Sequence, residues 1–193
     1  MIKLKDLLKE AETPLEPDDI RYYWNFVLNA LSGHNPDAFY RTNKLRIDKV
    51  ATILVTKYGP TTGGEAYRGI ILDPSEVHNG RVNHVPEITY VSFSEEKKIA
   101  LAFADTENPM WDFGKTRYPN KKGYLIISIW RPENLLFHHK WLTDTNTWPV
   151  ARAFFGDNTR WMEMQKELIL KPRPYYRVEP VEPGTSGGLQ VGT

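Results

Sequence analysis

The apolar residues of this chain change their spacing once, at the breaker-rich segment Gly59-Pro60-Thr61-Thr62-Gly63-Gly64. Before it they recur at helical intervals, and after it they come in short runs bounded by glycine, proline and aspartate. Helices first and short strands afterwards point to a helical layer packed beside strands. From Asp18 or Asp19, either a helix-capping type, Ile20 to Leu31 is helical in spacing and stops at Ser32-Gly33. A second helix is predicted over Ala38 to Tyr58. Beyond the breaker, Glu65 to Leu72 reads as a strand closed by Asp73-Pro74, Ile88 to Ser94 as a second strand, and Glu95 to Ala104 as a short helix. Strands over Gly123 to Trp130, Glu167 to Leu170 and Tyr175 to Val178 complete the set. The fold class expected is α+β, with N-terminal helices packed beside a mainly antiparallel two-sheet core.

At 193 residues the chain has room for one core and one site. Residues 1–17, an amphipathic stretch followed by Thr13-Pro14-Leu15-Glu16-Pro17, read as an N-terminal extension. Residues 18–179 read as the domain, and 180–193, rich in Pro, Gly, Ser and Thr, as a flexible tail. Acidic and basic residues number 24 and 25, which excludes the global basic field of a dedicated nucleic-acid binder. The absence of cysteine excludes disulfides, thiolate metal sites and cysteine nucleophiles. No apolar run approaches the roughly 20 residues that span a bilayer. The first ten residues lack the uninterrupted apolar stretch of a signal peptide, so the expected setting is cytoplasmic, with no membrane partner.

Three short segments carry candidate chemistry. Tyr67-Arg68-Gly69 offers a guanidinium fork suited to phosphate or ribose oxygens, beside a glycine that lets a ligand approach the backbone. The plain alternative is an ion-paired surface arginine. In Ser92-Phe93-Ser94 the two serines share a strand face, and Ser94 reads as the cap of the following helix. Gln165-Lys166-Glu167 enters a strand, so Gln165 and Glu167 are expected on one side. His138-His139 is not expected to bind a metal, because sequence neighbours point apart and no carboxylate or cysteine ligand pattern accompanies them.

These segments occur in order with two more, Asn43-Lys44-Leu45-Arg46 and Tyr176-Arg177-Val178, and with the Ala100 to Ala104 helix. Over roughly residues 18–179 the series resembles the Arg-Ser-Glu class of mono-ADP-ribosyltransferases, which includes the clostridial Rho-modifying exoenzymes and the binary actin-modifying toxins. The resemblance implies an ADP-ribosyltransferase-like fold and transfer of ADP-ribose from NAD+ to a macromolecular acceptor, with release of nicotinamide and NAD+ glycohydrolysis as a side activity. It implies that Arg68, Ser92, Gln165 and Glu167 are the catalytic set, with Ser92 orienting Glu167 and Glu167 stabilising an oxocarbenium-like charge. NAD+ would be held by Arg46, Arg68, Gly69, Ser92 and Phe103, the last stacking on nicotinamide. The alternatives are a core position for Phe103 and a surface ion pair for Arg46. Phe154, Phe155 and Trp161, with Gln165, would recognise the acceptor, a host protein or a nucleic acid. Glutamine at 165 disfavours arginine as the modified residue. Two departures stand out: Phe93 replaces the family's middle threonine, and Arg117 comes too late to be given the arginine contact usual after the phenylalanine.

Leu8-Lys9-Glu10-Ala11 resembles the cleavage signals of T-even-like phage head proteins. That resemblance implies a packaged, phage-encoded protein that loses its leader and works in the host cytoplasm. Three rival readings stand beside the transferase: an inactive NAD- or partner-binding module of the same fold, a packaged head protein, and a glycosidase using Glu163 and Glu167.

Overall fold

The computed structural model describes residues 16–31, 36–83, 91–108, 120–142 and 164–186. Two helices come first, α1 (Pro17–Leu31) and α2 (Pro36–Tyr58). Each opens on a proline, whose fixed φ and missing N–H suit a first helical position. Asp18 and Asp19 lie inside the first turn of α1, near the positive end of its dipole, and do not cap it from outside. Asp19 accepts a hydrogen bond from Lys49 Nζ at 2.7 Å, which ties α1 to α2 and holds the Asp19 carboxyl below its ordinary range. Tyr23, Phe26, Val27 and Ala30 of α1 meet Tyr40, Ile47, Val50, Ala51 and Leu54 of α2 in the core. Burying a side chain such as Phe26 contributes about 1.5–3 kcal/mol. α2 leaves helical geometry at Asn43 (φ −115°, ψ 18°), where Asn43 Nδ2 donates to the Phe39 carbonyl at 3.0 Å. A side chain competing for a backbone acceptor bends the helix there.

The strands are β1 (Gly64–Leu72), β2 (Arg81–Asn83), β3 (Ser92–Ser94), β4 (Lys122–Trp130), β5 (Leu135–His138), β6 (Glu167–Leu170) and β7 (Tyr175–Val181), with helix α3 (Lys97–Ala104) after β3. They pair antiparallel in the order β2-β7-β4-β1-β3-β6-β5. The described strands therefore make one hydrogen-bonded series, where the sequence led us to expect two sheets. Its two parts join between β1 and β3 at one register pair, Tyr67 with Ser94. The series curls at this narrow joint, bringing Phe93 of β3 to 5.9 Å from Tyr176 of β7 and Trp130 of β4 to 5.9 Å from His138 of β5, ring centre to ring centre. Alternation along a strand reports which face is buried, and it cannot report whether two groups of strands share a ladder. α1 covers β5, with Tyr23 Oη donating to the Leu136 carbonyl at 2.7 Å. Among the described residues no helix is long and apolar enough to cross a membrane.

α3 sits closer to the sheet than a side chain would permit. A Cβ on Gly69 would lie 1.8 Å from the Ala100 carbonyl oxygen, and one on Gly123 the same distance from that of Ala104. Gly69 and Gly123 are therefore the points at which α3 can approach the sheet this closely.

Of the segment expected to be a flexible tail, residues 180–186 are described and 187–193 lie outside the described residues. β7 runs to Val181, and the turn after it folds back onto Asp105 at the end of α3. The Asp105 carboxylate accepts from Gly184 N at 2.8 Å, Ser186 N at 3.0 Å, Ser186 Oγ at 2.5 Å and Glu107 N at 2.9 Å. Burial pushes this carboxyl up, but the Ser186 hydroxyl and the three N–H groups outweigh it and bring it from 3.8 down to about 2. A depressed carboxyl contributes stability above its unfolded pKa and loses it as the pH falls toward the folded value. Asp105→Asn is accordingly expected to lower the melting temperature at pH 7, with the gap to wild type closing between pH 3.8 and about 2. Thermal unfolding followed by circular dichroism across that range checks it; a gap that stays constant refutes it.

Candidate active site

A cleft of about 130 Å³ opens where β1, β3, α3, the end of α1 and the entry to β6 meet. Its lining includes Tyr67, Arg68 and Gly69 from β1, Ser92 and Ser94 from β3, and Ile99, Ala100 and Phe103 from α3. Gln165, Glu167, Ala30 and Leu31 also line it. Five residues singled out for NAD+ chemistry, Arg68, Ser92, Phe103, Gln165 and Glu167, thus come together with Gly69 in one place. Arg68 Nη1 donates to the Ser92 carbonyl at 2.6 Å, which fixes the guanidinium across the β1–β3 joint.

Gln165 and Glu167 reach the cleft by a turn. β6 begins at Glu167, and Lys166 has φ 48°, the left-handed region, so strand alternation does not relate the two side chains as expected. Ser94 stabilises that turn. Its hydroxyl donates to the Gln165 carbonyl at 2.7 Å and accepts from Glu96 N at 3.0 Å, while Glu95 N donates to the Lys166 carbonyl at 3.1 Å. α3 starts at Lys97, two residues later than expected, with Glu96 at its N-cap position, so Ser94 is not the cap it was expected to be.

The register also places the two serines differently against Glu167. Ser94 stands directly opposite Glu167 in the β3–β6 ladder, and Ser92 stands opposite Ile169. Ser92 is the diagonal neighbour of Glu167, on the same face but one pair away. No hydrogen bond joins Ser92 to Glu167 among the described residues, and Glu167 Oε2 is buried without a partner. Glu167 is 6% exposed and Gln165 3%, and Gln165 Nε2 is likewise buried and unpartnered. Both side chains line the cleft, where water or a ligand can satisfy these atoms. Burial raises the Glu167 carboxyl to about 8, against the opposing pull of the Arg68 charge. At neutral pH Glu167 is therefore mostly protonated.

Beside Ser94, Glu95 lies between two imidazoles. His139 Nε2 is 2.9 Å from Glu95 Oε2 and His138 Nε2 is 3.4 Å from Glu95 Oε1, and the two rings stack with centres 4.7 Å apart. The three can bring ligand atoms within 4.8 Å of one another. This overturns the sequence argument that these neighbours point apart and lack a carboxylate. A 3₁₀ turn (His139–Leu142) begins immediately after β5 and swings the second ring alongside the first. His138 Nδ1 accepts the Lys140 N–H at 3.1 Å, which places the proton of the neutral ring on Nε2, facing Glu95 as a donor and not as a lone pair for a cation. Burial lowers the His138 pKa, while the two imidazoles facing Glu95 hold its carboxyl well below the usual carboxylate range. Sequence reasoning missed this cluster and the Ser94 hydroxyl. Their only local signal was the Ser94-Glu95 pair preceding a helix.

Arg46 is not brought to the cleft. It lies 4.0 Å from Asp19 and 4.8 Å from the centre of the Tyr22 ring, an ion pair and a ring contact on the helical layer. Phe154, Phe155, Trp161 and Glu163 lie outside the described residues. No protein-family model matches the chain, and neither curated proteins nor solved structures give a match.

Proposed function

We propose that this cleft binds NAD+ and that the protein is a mono-ADP-ribosyltransferase of ADP-ribosyltransferase-like fold, passing ADP-ribose to a macromolecular acceptor as nicotinamide leaves. The observation that carries this reading is the convergence of Arg68, Ser92, Gln165 and Glu167 on one cleft beside the half-buried ring of Phe103. Arg68 supplies a planar fork for phosphate or ribose oxygens. Phe103 offers a ring for nicotinamide to stack on. The C-terminal residues of α1, Ala30 and Leu31, bring the negative end of a helix dipole to the same cleft, which favours a cationic ring.

The bond that breaks joins ribose C1′ to the nicotinamide nitrogen, and its electron pair leaves with the base. Positive charge then develops on the ribose, where the Glu167 carboxylate stabilises it. A cationic ring arriving beside Glu167 lowers its pKa and restores the anion that burial suppresses. Gln165 has no titratable group, so it can orient an acceptor by hydrogen bonds but cannot take its proton.

The test is release of nicotinamide from labelled NAD+ in the presence of a bacterial lysate, with protein and nucleic-acid fractions assayed separately for transferred label. Wild type is expected to release nicotinamide and label one fraction. Arg68→Lys loses the fork and is expected to raise KM about tenfold, equivalent to about 1.4 kcal/mol. Calorimetric binding of NAD+ with no turnover would replace the transferase by a binding module, and no NAD+ binding at all would remove both readings.

A further inference from the structure

We propose that the sheet edge where β2 meets β7 binds single-stranded nucleic acid. The two strands pair so that Arg81 stands opposite Arg177 and Asn83 opposite Tyr175. Alternation sends Val82, Tyr176 and Val178 into the core and leaves Arg81, Asn83, Tyr175 and Arg177 exposed. Like charges directly opposite in a ladder repel, so this pairing is a cost that the fold alone does not require. Arg177 reaches Glu179 only at 3.7 Å, and among the described residues no carboxylate pairs with Arg81. Arg81 instead lies over the Tyr175 ring, 4.8 Å from its centre, and that ring is 50% exposed. Arg173, just before β7, turns the other way and donates from Nη2 to the Ile129 carbonyl of β4 at 2.7 Å, so the edge rests on Arg81, Arg177 and Tyr175.

The whole chain carries a net charge of +1, so the excess of positive charge here is local. Guanidinium forks match phosphate oxygens in pairs, and an exposed aromatic among them gives a base a face to stack on. An acidic peptide would meet the charge but leave the ring without a planar partner, which favours the nucleic acid. In the sheet order β2 is three strands from β1, whose Tyr67 lines the cleft, a distance of about 14 Å at the usual strand spacing. A few nucleotides cover that distance, so the edge can present a bound strand to the cleft. That last step rests on the transferase reading; binding itself does not.

Fluorescence anisotropy with a labelled 20-nucleotide single-stranded RNA tests the proposal on the full chain. Wild type is expected to bind at low salt and to weaken steeply as salt rises. The double variant Arg81→Ser, Arg177→Ser is expected to bind at least tenfold more weakly, with the salt slope reduced by about 1.4, or about 0.7 per lost phosphate contact. Tyr175→Ala is expected to weaken binding about tenfold through lost stacking. The double variant should keep or exceed the wild-type melting temperature, since it removes a like-charge pair, and that readout separates lost binding from lost fold. Failure of wild type to bind the RNA, or unchanged binding by the double variant, overturns the proposal. Equal or tighter binding of a poly-glutamate of the same length overturns it in favour of an acidic protein. NAD+ turnover measured without RNA reports separately on the cleft and is expected to be unchanged by the edge substitutions.

Discussion

Glu167→Gln is expected to lower nicotinamide release at least a hundredfold and, at the same time, to make the protein more stable above neutral pH. The activity loss follows from removing the charge that would face the developing oxocarbenium while keeping the size and hydrogen-bonding reach of the side chain; such electrostatic contributions are worth on the order of 10²–10³ in rate. The stability gain follows from burial. The carboxyl titrates near 4.5 when solvated and at about 8 in the fold, so between those values the folded state binds the proton more tightly than the unfolded chain does. Its contribution is complete below 4.5 and is lost as the pH climbs to about 8, with a slope approaching, on the order of, 1.4 kcal/mol per pH unit. Glutamine does not titrate and escapes that loss. Melting temperatures of the two proteins should coincide near pH 4.5, diverge up to about pH 8 and run parallel beyond. Wild-type kcat/KM for NAD+ should rise with pH through the same upper value. Release by the variant within threefold of wild type would remove Glu167 from the chemistry, and a pH-independent difference in melting would remove the buried titration.

Gly69→Ala should cost about 3 kcal/mol or more, the upper range for overpacking, because the new methyl has nowhere to go. Its carbon would lie 1.8 Å from the Ala100 carbonyl oxygen and 2.6 Å from the Ala104 nitrogen, both backbone atoms of α3. Only displacement of the helix relieves that, and the helix carries Phe103. Gly64→Ala is the control on the same strand. Its Cβ would approach a side chain, Trp130 Nε1 at 3.3 Å, and a loss below about 1 kcal/mol is expected. Urea unfolding of the three proteins decides the matter, and a Gly69→Ala midpoint equal to wild type would mean that α3 is not seated as described.

The contrast between these glycines shows what the sequence could and could not convey. α1 and β4 were legible because each holds its spacing over many residues: Ile20 to Leu31 keeps the helical interval, and Gly123 to Trp130 is one apolar run with clear bounds. β2 and β5, of three and four residues, were not read from the sequence, whereas β6, equally short, was read from its run Leu168-Ile169-Leu170 before a proline-rich turn. The residue types of the cleft, Arg68, Ser92, Gln165 and Glu167, stood out along the chain. The register did not, because which serine faces Glu167 is decided by the pairing of β3 with β6, and a shift of two residues would exchange Ser94 for Ser92 without disturbing any local pattern. The role of Gly69 depends on a helix thirty residues later, and that of Asp105 on a turn near the other end of the chain. Both are tertiary facts with no local trace. His138 and His139 misled for a related reason, since strand alternation applies only while the strand lasts, and β5 ends between them.

The folded-back turn on Asp105 also gives the protein a mechanical property. A pull at Ser186 is shared between the backbone that leads back into β7 and the hydrogen bonds from Gly184 and Ser186 to Asp105, and the second share reaches the cleft wall of Ile99, Ala100 and Phe103 along α3. Tethering the protein to a surface or a bulky fusion through that turn puts part of the load on the cleft wall, whereas a tether on the exposed Lys44 side of α2 does not act through Asp105.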